Sequence, residues 1–177
     1  MNKKPYDVII LGAGAAGLMC AFLAGQRGLS VLVLEKSNKP GKKILMSGGG
    51  RCNFTNLHST PENFLSANPH FCKSALSRYT PWHFIEMVER HQIPYHEKEL
   101  GQLFCDRSSK DILNMLLDEC ADNQVEIRLN MDVGSIATDP DVTVNTTQGS
   151  FQANSLVVAT GGLSIPKMGG SGMGYEL

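Results

Sequence analysis

Three glycines near the amino terminus, Gly12, Gly14 and Gly17, have the spacing Gly-x-Gly-x-x-Gly between an apolar β-branched stretch and an apolar helical stretch. In such a turn the first glycine allows the sharp bend, and the second lets the backbone approach a pyrophosphate. The third lets the helix lie close to the strand. Free N–H groups at the helix N-terminus, including those of Ala15 and Ala16, favour phosphate oxygens. The pattern therefore predicts a dinucleotide site.

An acid, Glu35, ends the next apolar stretch. A carboxylate at this distance from the glycines can accept hydrogen bonds from the two hydroxyls of an adenosine ribose. It also repels a 2′-phosphate, which disfavours NADP at this site. A basic, turn-rich loop follows, and one of Lys36, Lys42 and Lys43 could add positive charge near the adenosine or the phosphates.

A second glycine cluster also has the composition of a ligand-binding loop. Its candidate residues are Ser47, Gly48, Gly49, Gly50, Arg51 and Asn53. Such a run predicts neither a helix nor a strand core but a backbone nest that faces an anion or a polar ring. A plain mobile loop is the alternative. Cys52 could have a redox role, but a structural role is favoured because the sequence shows no resolving cysteine.

Hydrophobic periodicity predicts a mainly parallel sheet, with strands near 6–11, 30–35 and 155–160. A small antiparallel β-meander is expected between 125 and 153, and 60–123 should be largely helical. The last strand runs into a polar residue and a glycine pair, which suit close approach of a ligand. These residues are Thr160, Gly161 and Gly162.

Two helix starts are signalled in the central region. Thr80 precedes Pro81 as a candidate N-cap, and Ser108 is followed three residues later by Asp111 in a capping-box pattern. The apolar stripes that follow are expected to face a core. A different reading of the amino-terminal part is a signal peptide or membrane span, because residues 8–25 are uncharged. The glycines weaken such a helix, so a buried fold is favoured.

Composition limits the possible function classes. The 177 residues are 42% hydrophobic with a net charge of −1, which suits one ordinary domain and gives nucleic acid and membrane no support as partners. The five cysteines lack CxxC spacing, which indicates a reducing cytoplasm rather than a disulfide scaffold. The five histidines show no metal-ligand spacing, so each is expected to be on the surface or structural.

With these residues in view, the chain resembles the HI0933-like (BaiN/YhiN-type) family of FAD-dependent oxidoreductases along its whole length. The matching pieces are residues 12–17 with Glu35 and Lys36, 41–43, 47–53, 159–162 and 164–167. The Ser-Gly-Gly-Gly-Arg-Cys-Asn run is the most specific of them. Cys105 is a departure, because a proline is expected after Phe104.

The resemblance implies an α/β, Rossmann-like FAD-binding domain of the two-dinucleotide-fold type over residues 1–177. Glu35 would hold the adenosine ribose, residues 12–17 the pyrophosphate, and Val133 the adenine through its backbone. Residues 47–55 would approach the pyrophosphate and the isoalloxazine, and 160–162 would back the cofactor. Family members also carry an inserted substrate domain and a C-terminal closing segment, so this chain is expected to be an N-terminal fragment.

The implied reaction is hydride transfer from NADH or NADPH through FAD to an unsaturated or carbonyl-bearing small molecule. No residue is a convincing acid or base, although Arg51 could stabilise charge on the pyrophosphate or reduced flavin. Two other functions stay open. One is an NAD-dependent dehydrogenase with a single nucleotide fold, and the other is a truncated FAD-binding module without turnover.

Overall fold

A computed structural model describes residues 5–163 and 172–176. The chain divides into two compact units. The larger unit comprises residues 1–43 and 116–177, and the smaller unit comprises residues 44–115. Residues 164–167, which belong to the family resemblance, lie outside the described part of the chain.

The described residues form nine strands and six α-helices. The strands are β1 (Tyr6–Leu11), β2 (Val31–Leu34), β3 (Asn53–Asn56), β4 (Tyr95–Glu97), β5 (Gln102–Cys105), β6 (Glu126–Arg128), β7 (Val133–Ala137), β8 (Val142–Thr146) and β9 (Gly149–Val158). The helices are α1 (Ala15–Gly25), α2 (Lys42–Met46), α3 (Lys73–Arg78), α4 (Pro81–Arg90), α5 (Ser109–Asp122) and α6 (Met173–Glu176).

The larger unit is built on a six-stranded sheet in the order β6-β2-β1-β9-β8-β7. Strands β6, β2, β1 and β9 run parallel, with Val8 of β1 opposite Val31 of β2 and Ser155 of β9. Strands β7 and β8 extend the sheet in antiparallel fashion. This arrangement confirms the predicted Rossmann-like fold with a parallel sheet and a β-meander.

Both faces of the parallel strands are covered, which explains their continuous apolar sequence. On one face Ile9 and Leu32 lie in a buried cluster with Val144 and Phe151 of the meander. Leu18 of α1 is also fully buried in this unit. The uncharged run 8–25 thus folds as strand, turn and helix, and no helix of the described chain is long and apolar enough to cross a membrane.

The meander differs from the prediction at its beginning. The strand expected near 125–129 is β6, which pairs in parallel with β2 and belongs to the main sheet. The meander consists instead of β7, β8 and the first half of β9, which continues without a break into the parallel sheet. Alternation identifies a strand but does not specify its partner, so this assignment was wrong.

The smaller unit contains a three-stranded antiparallel sheet in the order β3-β5-β4, together with α3 and α4. The prediction of a largely helical region at 60–123 missed β4 and β5, which have only three and four residues. The two helix starts are confirmed. Helix α4 begins after Thr80, whose backbone N–H donates to Nδ1 of His83 at 3.0 Å, and α5 begins at Ser109.

Candidate cofactor site

Two of the motif glycines are required by packing within the larger unit. Gly12 has φ +103°, and its N–H donates to the Leu34 carbonyl at 2.8 Å. A Cβ on Gly12 would lie 2.6 Å from the Ala159 carbonyl oxygen, and one on Gly17 would lie 1.9 Å from the Gly12 carbonyl oxygen. These contacts fix the turn between β1 and α1 and hold the helix against it.

Gly14 differs from its neighbours because space is open around it. Apart from its chain neighbours and its own helix, no atom of the described residues lies within 4 Å of the position that its Cβ would take. It is the N-cap of α1, no side chain caps the helix there, and the first turn contains no acid. Ala15 and Ala16 are exposed. The N-terminus of α1 therefore presents backbone N–H groups and a partial positive charge to an open cradle, as a pyrophosphate requires.

Glu35 lies directly after β2, and its half-buried carboxylate is held by two backbone groups. Its Oε2 accepts a hydrogen bond from the N–H of Ala13, and its Oε1 accepts one from the N–H of Ser37, both at 2.7 Å. An ionised carboxylate has about four acceptor sites, so capacity remains for ribose hydroxyls. The acid is thus fixed beside the glycine turn with acceptor positions to spare.

Residues 130–133 return the chain to the loop that contains Glu35. The N–H of Met131 donates to the Glu35 carbonyl at 2.9 Å, and Val133 follows as the first residue of β7. Lys36 pairs with Asp132 at 3.0 Å, and both side chains are exposed. Val133 therefore lies two residues after Met131, which is hydrogen-bonded to Glu35. The charge of Lys36, by contrast, is paired with Asp132.

The segment after β9 contains a buried polar atom without a partner. The Thr160 hydroxyl oxygen is buried and makes no hydrogen bond to any described residue. Gly161 has φ +75°, and a Cβ there would lie 3.4 Å from Nζ of Lys43. Buried hydroxyls are normally hydrogen-bonded, and a bound ligand could supply a partner for this one. Together with the open cradle at Gly14, it fits a bound dinucleotide.

In the smaller unit, the glycine cluster forms a tight 3-10 turn with left-handed backbone. Gly48, Gly49 and Gly50 have φ of +55°, +64° and +88°. A Cβ on Gly48 would lie 2.7 Å from the ring of Phe104, whereas a Cβ on Gly49 or Gly50 would meet none of the described residues. The turn is followed by β3, so the expectation that no strand occurs in this run was wrong from Asn53 onward.

The polar side chains of this turn have different surroundings. The Ser47 hydroxyl donates to the Ile44 carbonyl at 2.9 Å. With its amide oriented to satisfy its neighbours, Asn53 donates to the carbonyls of Leu103 and Thr55. Arg51 is exposed and forms no ion pair among the described residues. Ser47 and Asn53 thus shape the turn, while Arg51 keeps its charge available.

Cys52 has a cysteine neighbour that the sequence did not reveal. Burial raises the pKa of the Cys52 thiol. Burial, with a smaller effect of the Cys52 charge, raises the pKa of the Cys105 thiol to about 12. Both thiols therefore stay protonated near neutral pH, which makes them poor nucleophiles. Burial of both thiols supports the structural reading of Cys52.

A histidine–aspartate pair is a polar contact that the sequence did not reveal. Nδ1 of His96 lies 2.6 Å from Oδ1 of Asp106, and each side chain is 44% exposed. The two residues lie on β4 and just after β5, and only the antiparallel register of these strands brings them together. No spacing rule connects positions 96 and 106, so the sequence offered no signal for this pair. Among the described residues, no cluster of three or more metal-ligating side chains is found.

Comparison with known proteins identifies one matching family and several relatives. A family model described as "HI0933-like protein Rossmann domain" matches residues 6–177. The ribosomal RNA dihydrouridine synthase of Escherichia coli (strain K12) is 54% identical over 97% of this chain and 43% of that protein. The 3-dehydro-bile acid delta(4,6)-reductase of Clostridium scindens is 28% identical over 95% of this chain and 42% of that protein.

Solved structures share the fold at low identity. A 3-ketosteroid-Δ4-(5α)-dehydrogenase from Rhodococcus jostii RHA1 has a TM-score of 0.64 and 17% identity, covering 91% of this chain and 47% of that chain. The amino acid oxidase NikD has a TM-score of 0.59 and 16% identity, covering 92% of this chain and 52% of that chain.

The chain spans less than half the length of the curated relatives described above. Because one of these relatives is named for an RNA substrate, the expected absence of a nucleic-acid partner has no support here.

Proposed function

The chain belongs to the HI0933-like Rossmann domain family of flavoproteins, and from this premise we propose that it is the FAD-binding part of an FAD-dependent oxidoreductase. The observation that carries the proposal is the carboxylate of Glu35, fixed beside an open glycine cradle by the N–H of Ala13. An acid, a cradle and a helix N-terminus in this order suit a ribose followed by a pyrophosphate.

Each part of FAD has a proposed holder in the chain. Glu35 would accept hydrogen bonds from the ribose, and the N–H groups at the start of α1 would bind the pyrophosphate. The backbone of Val133 would pair with the adenine. The Thr160 hydroxyl, buried without a partner among the described residues, would gain one from the cofactor. Residues 47–53, with Arg51, are proposed to contact the pyrophosphate and the flavin ring.

Bound FAD would supply the hydride chemistry, with NADH or NADPH as the proposed electron donor. The chain's own groups would bind and orient the cofactor, and Arg51 would stabilise negative charge on it. The cytoplasm is the proposed location because no disulfide joins the five cysteines. NADH or NADPH and a reducing environment are both available in that compartment.

For the substrate, the relatives suggest one chemical class. The name of one relative implies reduction of uridine, and the name of another implies reduction of a steroid double bond. Both substrates contain a carbon–carbon double bond conjugated to a carbonyl group. We propose this bond as the substrate class, with a uracil base of ribosomal RNA as the first candidate, because the relative at 54% identity carries that name. A small molecule is the second candidate.

Two measurements test the proposal. Purified protein should contain FAD, seen as absorbance near ~450 nm and identified by chromatography after heat release. The natural full-length protein, given NADH or NADPH and unmodified ribosomal RNA, should add two hydrogen atoms to a uridine, which mass spectrometry detects. Protein that binds NADH but no flavin would support an NAD-dependent dehydrogenase instead. FAD binding without any turnover would support a non-catalytic module.

A further inference from the structure

Three side chains lie in a row across the small antiparallel sheet. Phe104 of β5 pairs in register with Asn53 of β3 and with His96 of β4. Its neighbours Leu103 and Cys105 are buried. Since successive side chains of a strand point to opposite faces, the three side chains share the face turned away from the core of this unit. Asn53 and His96 are exposed there, and Phe104 is half-buried.

The imidazole of His96 is held in one orientation on this face. Its Nδ1 contacts the Asp106 carboxylate at 2.6 Å, and its ring stacks on Phe104 with 6.4 Å between centroids. Asp106 is itself fixed by its backbone N–H, which donates to the Pro94 carbonyl at 3.0 Å. A carboxylate on Nδ1 makes that nitrogen the N–H donor, so Nε2 is the atom that can exchange a proton. Nε2 has no partner among the described residues.

The same face borders the glycine turn that carries the most specific family resemblance. The Phe104 ring lies so close to Gly48 that a Cβ there would come within 2.7 Å of it. Nζ of Lys98 lies 5.6 Å from the centre of the Phe104 ring. Phe104 thus links the His96–Asp106 pair to the turn at residues 47–50. An exposed ion pair contributes only about 0–1 kcal/mol to stability. Stabilisation of the fold is therefore a poor explanation for the His96–Asp106 pair.

We propose that His96, oriented by Asp106, is the proton donor of the reduction. This inference rests on the proposed function. Reduction of a double bond conjugated to a carbonyl adds a hydride to the β-carbon, and the π electrons move towards the carbonyl to form an enolate. The hydride comes from reduced flavin. The α-carbon of the enolate then takes the Nε2 proton from the His96 imidazolium, which leaves a neutral imidazole. Solvent returns the proton, since the side chain is 44% exposed.

The test uses the natural full-length protein with the variants His96→Gln and Asp106→Asn. His70→Gln is the matched control, because His70 is an exposed histidine of the same unit. FAD content, thermal stability and the rate of flavin reduction by NADH or NADPH should be unchanged in all three. The rate at which substrate reoxidises the reduced flavin should fall by about 10²-fold or more in His96→Gln, as expected for loss of a general acid.

Asp106 acts as a positioning residue, so Asp106→Asn should slow the same step by about 10-fold without raising the KM of the substrate that is reduced.

Added imidazole should restore part of the activity of a further variant, His96→Ala, which a purely structural histidine would not allow. Substrate reoxidation in His96→Gln as fast as in His70→Gln overturns the assignment. Loss of FAD content in parallel with activity also overturns it. Wild-type protein without FAD refutes the proposed function and this inference together, so the two failures are distinguishable.

Discussion

The carboxylate of Glu35 accepts a hydrogen bond from the backbone N–H of Ala13 at 2.7 Å. Glu35 directly follows β2, and Ala13 lies in the turn after the neighbouring strand β1. Its other oxygen is held by Ser37. The acid expected to bind ribose therefore also sets the shape of the glycine turn. Cofactor binding and local stability are coupled through this one side chain.

Glu35→Ala should weaken both properties. The free energy of unfolding of the apoprotein should fall by about 1.5–3 kcal/mol for each of the two charge-assisted hydrogen bonds that are lost. FAD affinity should fall as well, and Glu35→Gln, which keeps one oxygen acceptor, should lose less of each. Urea unfolding and a fluorescence titration with FAD measure the two effects. Asp132→Asn, which breaks only an exposed pair with Lys36, is the control. Unchanged FAD affinity in Glu35→Ala would show that the ribose is bound elsewhere.

The same added methyl group should affect apoprotein stability at Gly17 but not at Gly14. Gly14 has extended backbone and open space, so Gly14→Ala should leave apoprotein stability within about 0.5 kcal/mol while it obstructs the pyrophosphate. In Gly17→Ala the new Cβ would meet a backbone oxygen at 1.9 Å. That substitution should cost about 3 kcal/mol, the upper part of the overpacking range. Thermal melts with and without FAD check both. An apo melt lowered equally by the two substitutions would contradict the open cradle.

The sequence predicted the features whose cause lies in adjacent residues. The turn from β1 into α1 follows from the glycine spacing, and α4 begins where Thr80 and Pro81 signal it. In each case the signal and its structural result lie within a few residues of one another. The Rossmann-like fold could therefore be inferred before the structure was known.

Features that depend on pairing between distant segments were missed. Nothing in the composition of β6 distinguishes a parallel edge strand from a strand of the meander. Strands β4 and β5 are too short for alternation to be detected. The proximity of His96 to Asp106 follows from the register of β4 and β5. Cys105 is brought near Cys52 by its N–H, which donates to the Arg51 carbonyl at 3.0 Å. Candidates for cofactor binding could therefore be recognised in the sequence, whereas the His96–Asp106 pair could not.

Thr160→Val should stabilise the apoprotein and weaken FAD binding. The Thr160 hydroxyl is buried without a partner among the described residues, and such a group costs about 1–3 kcal/mol. Valine removes the group at similar volume, so the apo melting temperature should rise, whereas any hydrogen bond to FAD is lost. Thr146→Val is a matched control with the opposite expectation, because the Thr146 hydroxyl donates to the Gly149 carbonyl at 2.8 Å. An apo melting temperature lowered by both substitutions would mean that Thr160 is already satisfied.

Stability should decrease above about pH 9, partly through Cys105. Burial raises the pKa of this thiol from 9.0 to about 12. In that interval the unfolded chain has lost the proton that the folded chain keeps, so the free energy of unfolding falls as pH rises. One proton corresponds to a slope of about 1.4 kcal/mol per pH unit. Urea unfolding of Cys105→Ser and Cys105→Ala between pH 8 and about 10.5 should give shallower slopes than wild type, whatever their absolute stabilities. Slopes equal to that of wild type would show that Cys105 ionises alike in both states.

Gly49→Ala should reduce FAD occupancy if residues 47–53 contact the cofactor as the family resemblance implies. Gly49 has φ +64°, and no described residue would contact a Cβ there. An alanine should therefore lower the free energy of unfolding only through the strain of its left-handed backbone, by roughly 1–2 kcal/mol. Gly28→Ala is the matched control, since Gly28 has φ +78° and open space in the larger unit, just beyond α1. The two variants should lose similar apoprotein stability in urea, but only Gly49→Ala should lose bound flavin. Gly48→Ala should instead destabilise the fold through the Phe104 ring. Equal flavin content in Gly49→Ala and Gly28→Ala would show that the turn shapes its own unit and does not touch the cofactor.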